Sequence, residues 1–375
     1  MNYILKLNTC PDNTAYSCVF EPPNSKLFEK SRLSPPLGLR ILPLFEDSEI
    51  DLDVVDDTTV SDTPPWSQSE PQICLSLTKY KKDTTNPEVY KQAFLEITSR
   101  HQNYVHIFTD GSKVDEKVAA AAVSSVAPNS PFSCRLRDHC SIYTAELQAI
   151  LLALKQTYQS QERQFIIFSD SLSALQAHGK LKTDHPLLIQ IQEFLHKINA
   201  DQKEIVFMWV PGHVGIRANE VADRAAKEAI DNKPTADLMP FSDLKSLTAK
   251  YVYQVWQQEW GETGLVSDKF YEILPKLPDK LLSFCNTRKE NTVLNRLHIG
   301  HSYLTPSPIL RREEVPVCIA CGAVITVKHL LIECADLVEI RKKYFEEKSL
   351  YSLFRNVVPE IIFYFLRKIG VLYKM

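Results

Sequence analysis

The run Tyr104-Val105-His106-Ile107-Phe108-Thr109-Asp110-Gly111-Ser112 starts the pattern from which the central architecture follows. Val105, Ile107 and Thr109 alternate with His106, Phe108 and Asp110, the two-residue period of a strand. Residues 118–126 and 132–136 read as two further strands joined by turns, which predicts an antiparallel meander. Leu147, Ile150, Leu151, Leu154 and Tyr158 then fall at i, i+3, i+4, i+7 and i+11, the apolar stripe of an amphipathic helix. Residues 165–168 suit a short buried strand, Ser171 can cap a short helix, residues 187–198 suit a helix, 205–210 a strand and 217–230 a last helix. The order β-β-β-α-β-α-α-β-α predicts an α/β domain over residues 101–232, a mixed five-stranded sheet flanked by helices.

Four acidic residues fall at telling places in that pattern. Asp110 ends the first strand, Asp170 ends the fourth, Glu146 lies in the first turn of the long helix, and Asp223 lies on the last helix. Taken singly, each reads as a turn, capping or solvated helix residue. Together they are different, because ligands of open α/β sheets gather at strand ends, and carboxylates brought together there repel unless a hard cation neutralises them. Oxygen ligands suit Mg²⁺ or Mn²⁺, and two such ions can serve an in-line phosphodiester displacement.

Thr109-Asp110-Gly111-Ser112, Thr144-Ala145-Glu146-Leu147-Gln148-Ala149, Ser169-Asp170-Ser171, Trp209-Val210-Pro211-Gly212-His213 and Asn219-Glu220-Val221-Ala222-Asp223 follow one another in the chain. In content and order these five elements resemble the type 1 ribonuclease H family. The resemblance implies a ribonuclease H-like fold and endonucleolytic cleavage of the RNA strand of RNA/DNA hybrids with two Mg²⁺ (or Mn²⁺) ions. It places metal ligation on Asp110, Glu146, Asp170 and Asp223, and the family's mobile histidine, assigned to proton transfer or product release, on His213. Gln148, Ser171 and Asn219 match polar positions that reach the hybrid. The alternative reading is a catalytically inactive nucleic-acid-binding remnant. One departure stands out: Lys180, Lys182, Lys197 and Lys203 are the only Lys or Arg residues between Leu175 and Glu204, so the basic insertion that some bacterial members use as a substrate handle is missing.

The flanks read differently. Residues 1–100 are expected to be a connection-like, partly extended segment. Residues 10–70 are rich in Pro, Ser, Thr and acidic residues, with seven carboxylates from Glu46 to Asp57. A competing reading makes 41–45 and 50–55 strands docked on another chain or domain. By resemblance this segment follows a reverse transcriptase in non-LTR retrotransposon polyproteins, which makes such a module the expected partner. No Tyr-x-Asp-Asp is present, so no polymerase activity is assigned. Residues 240–375 are expected to be mainly helical. Within them Cys318, Cys321, His329 and Cys334 give Cys-x2-Cys-x7-His-x4-Cys over 318–334, a donor set for a tetrahedral structural Zn²⁺ site. Residues 296–304 with Pro316-Val317-Cys318 resemble the zinc-knuckle-like tail of the same polyproteins, with His298 and His301 given structural or nucleic-acid-facing roles and Tyr303, Arg311 and Arg312 suited to phosphates and unstacked bases.

Composition bounds the rest. The chain has 375 residues, 44% hydrophobic and 24% charged, with a net charge of -3, which excludes a wholly disordered or fibrous chain and suggests two or three domains. Residues 241–375 hold 19 Lys+Arg against 15 Asp+Glu, too slight an excess to identify a polyanion partner by charge alone. No apolar run approaches a membrane span, and nine Cys in a long chain fit a reducing compartment, so an intracellular location, cytoplasmic or nuclear, is expected.

Overall fold

The computed structural model describes residues 1–21, 28, 34–48, 50–57, 64, 71–177, 183–235, 238–267, 269–277, 287–300 and 316–374. It divides into two compact units, Met1–Lys250 and Tyr251–Met375. Among the described residues no helix is long and apolar enough to cross a membrane.

In the first unit three helices, α1 (Asn2–Asn8), α2 (Tyr16–Phe20) and α3 (Leu37–Asp47), precede β1 (Gln72–Cys74) and α4 (Pro87–Ser99). Then follow β2 (Val105–Val114), β3 (Lys117–Ser124), β4 (Phe132–Arg135), α5 (Ile142–Gln159), β5 (Gln164–Ser169), α6 (Leu172–Ala177), α7 (Pro186–Ala200), β6 (Glu204–Trp209) and α8 (Arg217–Ala229). This reproduces the element order expected for 101–232. The sheet order is β1-β6-β5-β2-β3-β4, parallel from β1 to β2 and antiparallel from β2 to β4. The sheet therefore has six strands, not five. The extra one, β1, comes from the N-terminal segment and pairs with the open edge of β6, and three residues are too few to announce a strand by alternation.

Strand alternation sorts the core into two layers. Ile107, Phe165, Ile167 and Phe207 face α5 and α7, meeting Leu147, Ile150, Leu154, Leu188 and Ile191. Phe108, Ile166, Phe168, Val206 and Met208 face the other way, onto Ala222, Ala225 and Ala226 of α8 and Tyr90 of α4. Small residues govern how closely the helices approach. Ala119 to Ala122 of β3 are fully buried, and a Cβ on Gly111 would stand 2.9 Å from Ala145 Cβ and 2.9 Å from Glu146 N. Gly111 thus lets the start of α5 lie directly on β2. The substitution Gly111→Ala is expected to cost about 1–3 kcal/mol, the usual penalty for overpacking against atoms that cannot withdraw. Urea unfolding of the two proteins measures it, and equal stability would contradict the close-packing account.

The described parts of the N-terminal segment are more regular than its composition suggests. Residues 41–45, expected to be extended, lie within helix α3, where Gly38 and Phe45 are buried seven residues apart, a helical repeat. A Cβ on Gly38 would fall 2.2 Å from Val19 O, so α2 and α3 touch. Residues 50–55 turn back on the same chain: Met239 N–H donates to Val54 O at 2.8 Å and Asp56 N–H to Met239 O at 2.8 Å. Ile4, Leu5, Val19 and Phe45 pack with Val118, Leu136, Ala145 and Ala149 of the sheet domain and with Met239 and Phe241. Acidic residues on the outside and a thin apolar stripe inside explain why composition alone reads as loose.

Helix α9 (Phe241–Ser267) begins in the first unit, where Asp243 accepts hydrogen bonds from Ser141 N–H (2.9 Å) and the Thr144 hydroxyl (2.6 Å) and so pins the first turn of α5. The second unit is mainly helical, as expected. After α9 come α10 (Lys269–Ile273), α11 (Arg288–Ile299), a π-helical turn His329–Glu333, α12 (Val338–Arg341), α13 (Leu350–Asn356) and α14 (Pro359–Lys368). Leu297, Leu331, Leu353, Ile362, Phe365 and Leu366 form its core.

Candidate functional site

Asp110 does not end a strand. It lies inside β2, at the point where pairing with β5 stops (Thr109 opposite Ser169) while pairing with β3 continues (Asp110 opposite Ala121). Asp170 follows β5 directly. Glu146 is one turn further into α5 than expected, because Ser141 caps the helix at Ile142, accepting from Thr144 N–H at 3.1 Å. Carboxylate oxygens of Asp110, Glu146 and Asp170 lie within 4.8 Å of one another. Asp223, on α8, is outside that tight group but close enough to Asp110 to act on it, and it pairs with Lys227 one turn later at 2.7 Å.

The backbone around these groups is held firmly. The Thr109 hydroxyl donates to Phe168 O at 2.9 Å, and the Trp209 indole donates to Asp170 O at 3.0 Å. A Cβ on Gly212 would sit 2.3 Å from Asp170 Oδ2, so the Pro211-Gly212 turn has its glycine for close approach to a carboxylate rather than for loop freedom. His213 follows, exposed and in the left-handed region at φ +60°. Its imidazole is near enough to Asp170 to offset part of that group's burial. Gln148 is half-buried and reaches Cys134. Ser171 accepts from Ala174 N–H at 3.4 Å, a capping contact for α6. Asn219 is buried with its Oδ1 unpaired among the described residues.

Burial and mutual repulsion dominate the electrostatics. Asp110 is pushed up to about 8, by burial first and then by Asp170 and Asp223. Glu146 is raised well above the ordinary range by burial and by the charges of Asp170 and Asp110, and its Oε2 is buried without a partner among the described residues. Burial raises Asp170 as well, with His213 and Lys82 opposing. This is the chemistry of a site fit for a hard divalent cation. It also has a consequence for stability without one. An acid whose folded pKa lies above its unfolded value near 4 holds its proton in the fold while the unfolded chain has released it, so stability falls as pH rises from about 4 to about 8. The Tm of the metal-free protein is therefore expected to decrease across that window, and Mg²⁺ to restore more of it at pH 8 than at pH 5. A flat profile in thermal melts would contradict the repulsion.

A second cluster lies in the other unit. Donor atoms of Cys318, Cys321, His329 and Cys334 all lie within 4.8 Å of one another, with Cys318 Sγ 3.9 Å from Cys334 Sγ and Cys321 Sγ 3.5 Å from His329 Nε2. A tight turn brings the first two together: Gly322 N–H donates to Cys318 O at 2.8 Å, with Gly322 at φ +72°. The five-residue offset of His329 and Cys334 is reconciled by the π turn, whose i to i+5 bond runs from Cys334 N–H to His329 O at 2.8 Å. The His329 hydrogen bond draws the Cys318 thiol down to about 6, helped by the backbone amides of Cys321 and Ala320. His298 is not part of this cluster: it is buried against Phe354, ring centroids 4.5 Å apart, and burial lowers it to about 4. His301, Tyr303, Arg311, Arg312, Lys180 and Lys182 lie outside the described residues.

The fold and the carboxylate site define the ribonuclease H-like class of α/β domains, and the RNase H family model matches residues 102–231. That region is an RNase H domain. The chain is also similar to the Pol polyprotein of equine infectious anemia virus (strain Wyoming), 30% identical over 151 residues, which is 38% of this chain and 12% of that polyprotein. The same extent and identity hold for the Pol polyproteins of isolates 1369 and CL22. The chain thus spans 12% of the length of these curated relatives.

Three residues that shape the site do not stand out in the sequence as doing so: Gly111, for close packing; Gly212, which suits a flexible loop there; and Asp243. The i, i+4 spacing of Asp223 and Lys227 is legible on a helix. Contact with Asp243, about a hundred residues from α5 in sequence, leaves no local signal.

Proposed function

We propose that the chain is a Mg²⁺- or Mn²⁺-dependent endoribonuclease that hydrolyses the RNA strand of RNA/DNA hybrids, derived from a retroelement polyprotein of the non-LTR retrotransposon kind. The observation that supports it most is the convergence of Asp110, Glu146 and Asp170, three mutually repelling carboxylates of which one has a buried oxygen without a partner among the described residues. With Asp223 they would hold the ions. When bound, two such ions supply charge stabilisation at the attacking and leaving oxygens of an in-line displacement. The protein's own groups do the rest. Lys227 holds Asp223 in place, Gly212 allows the His213 loop to approach Asp170, and the exposed imidazole of His213 can carry a proton to or from the reacting phosphodiester. Asn219, Gln148 and Ser171 are the polar groups assigned to the hybrid. The resemblance of residues 1–100 to the connection in retrotransposon polyproteins makes a reverse transcriptase module the partner, and the similarity to a Pol polyprotein fits an origin in a polyprotein.

The test is a substrate panel with the full chain in Mg²⁺: an RNA/DNA hybrid, duplex DNA and duplex RNA. Cutting confined to the hybrid is expected. Comparable cutting of duplex DNA would overturn the substrate assignment, and an intact hybrid that is nevertheless bound would move the chain to the inert remnant class.

Zn²⁺ is the ion proposed for Cys318, Cys321, His329 and Cys334. Three thiolates and one imidazole complete a closed four-ligand set, with no open position for catalysis. The role is structural, closing the turn at 318–322 onto the π turn that begins at His329.

A further inference from the structure

The domain lacks the basic insertion that some relatives use to hold nucleic acid, yet a polyanionic substrate needs cations near the cleavage centre. β1 supplies a route to them. It pairs in parallel with β6, Cys74 opposite Met208, and Met208 is in turn opposite Phe168 of β5. The chain leaving β1 therefore emerges at the carboxylate end of the sheet, level with the residue two before Asp170 and about 10 Å from β5 at the usual strand spacing.

What emerges is firmly built. Leu77, in a single 3-10 turn (Ser76–Lys79), is 1% exposed and packs in the layer of Met208 and Val210. The Tyr90 hydroxyl donates to Tyr80 O at 2.9 Å, and the two rings meet edge to face at 5.6 Å. Asn86 caps α4, accepting from Glu88 N–H at 2.9 Å, and Phe94 anchors that helix on Phe168 with ring centroids 5.4 Å apart. On the outside of this frame stand Lys79, Lys81 and Lys82, all exposed and without an ion pair among the described residues. Lys79 Nζ lies 4.9 Å over the half-buried Tyr80 ring. Lys91 of α4 comes against the His213 loop, where a Cβ on Gly215 would fall 2.5 Å from Lys91 Cε, but it is paired with Glu88 at 2.7 Å. Asp83 is the acidic residue within the loop itself. Lys82 is close enough to Asp170 to act on that carboxylate.

We propose that Lys79, Lys81 and Lys82, on the loop between β1 and α4, form a clamp for the sugar-phosphate backbone of the nucleic acid beside the carboxylate centre, in place of the missing insertion. The inference rests on the hybrid-cleaving reading for its substrate, while its test reads binding. The probe is a fluorescent RNA/DNA hybrid titrated in Mg²⁺ with full-length Asp110→Asn protein, with and without Lys79→Gln, Lys81→Gln and Lys82→Gln together. The triple change is expected to weaken binding at least about tenfold at low salt and to flatten the dependence of log K on log salt by about 2–3, near 0.9 for each phosphate left without its lysine. Arginine at the three positions is expected to restore both. With Asp110 intact, Lys79→Gln and Lys81→Gln together are expected to raise KM more than they change kcat, since uniform binding is what they remove. Unchanged affinity and unchanged salt slope in a triple variant of normal Tm would overturn the clamp. Cleavage by the unaltered chain with no lysine effect leaves the hydrolase reading standing and removes the clamp; a lysine effect on binding with no cleavage does the reverse.

Discussion

Asp110→Asn is expected to slow hybrid cleavage by about 10²–10³-fold or more, the loss typical of deleting one preorganised contact to developing charge, and at the same time to raise the Tm of the metal-free protein. The two effects have one origin. Asp110 is buried where β2 lies against the start of α5, with burial, Asp170 and Asp223 holding its pKa up at about 8. Without a cation this arrangement is a cost to the fold that grows as pH climbs. Asparagine keeps the shape, ends the repulsion and cannot supply an anionic ligand. The gain in Tm is expected to be larger at pH 8 than at pH 5, since at pH 5 the aspartic acid is already protonated in the fold. Thermal melts in EDTA at the two pH values measure it. A variant less stable than the parent at both would mean that Asp110 is a structural residue and that the strain inferred for the site is not there.

Zinc removal is expected to produce the largest change in stability. Apparent binding free energies of ~10–16 kcal/mol in small zinc domains are folding free energy when the site does not exist in the unfolded chain. Here the cluster joins the 318–322 turn to the π turn, beside a unit core that includes Leu331, Phe345 and Ile362. Some order survives through that core, so a loss on the order of 5 kcal/mol is expected on chelation, less than the full binding energy. Cys321 offers the sharpest control because its side chain is exposed and Cys321→Ser removes a ligand without opening a cavity. The variant is expected to unfold like the chelated parent and to ignore chelator, with metal analysis finding about one zinc per chain in the parent. If parent and variant unfold alike in zinc-replete buffer, the four residues are not a zinc site.

The domain is legible in the sequence because its signals are local. Alternation in β2, β3 and β5 and the i, i+3, i+4 stripe of α5 each follow from one face being buried, and five short motifs fall in order along 104–230. The four carboxylates each sit in a short motif, although Asp110 falls inside β2 rather than at its end. What escapes is carried by contacts distant in sequence. β1 is a strand only because β6 offers an unpaired edge, and its three residues hold no pattern of their own. The middle of helix α3 reads as extended because Ile41 to Phe45 is apolar almost throughout; what decides for the helix is the burial of Gly38 and Phe45 against residues far away, not a feature of the run itself. The glycines at 111 and 212 look like turn residues in sequence, and only the fold shows that neighbouring atoms leave no room for a Cβ.

The measurement that bears most directly on the carboxylate site is a cleavage assay on a hybrid labelled in turn at the end of its RNA and of its DNA strand, with the full chain and with Asp110→Asn, in Mg²⁺ and in EDTA. The unaltered chain in Mg²⁺ is expected to cut the RNA strand and leave the DNA strand whole, and EDTA or Asp110→Asn to abolish the cut. RNA cleavage that persists in EDTA and in Asp110→Asn would contradict a metal-dependent centre at Asp110, Glu146, Asp170 and Asp223.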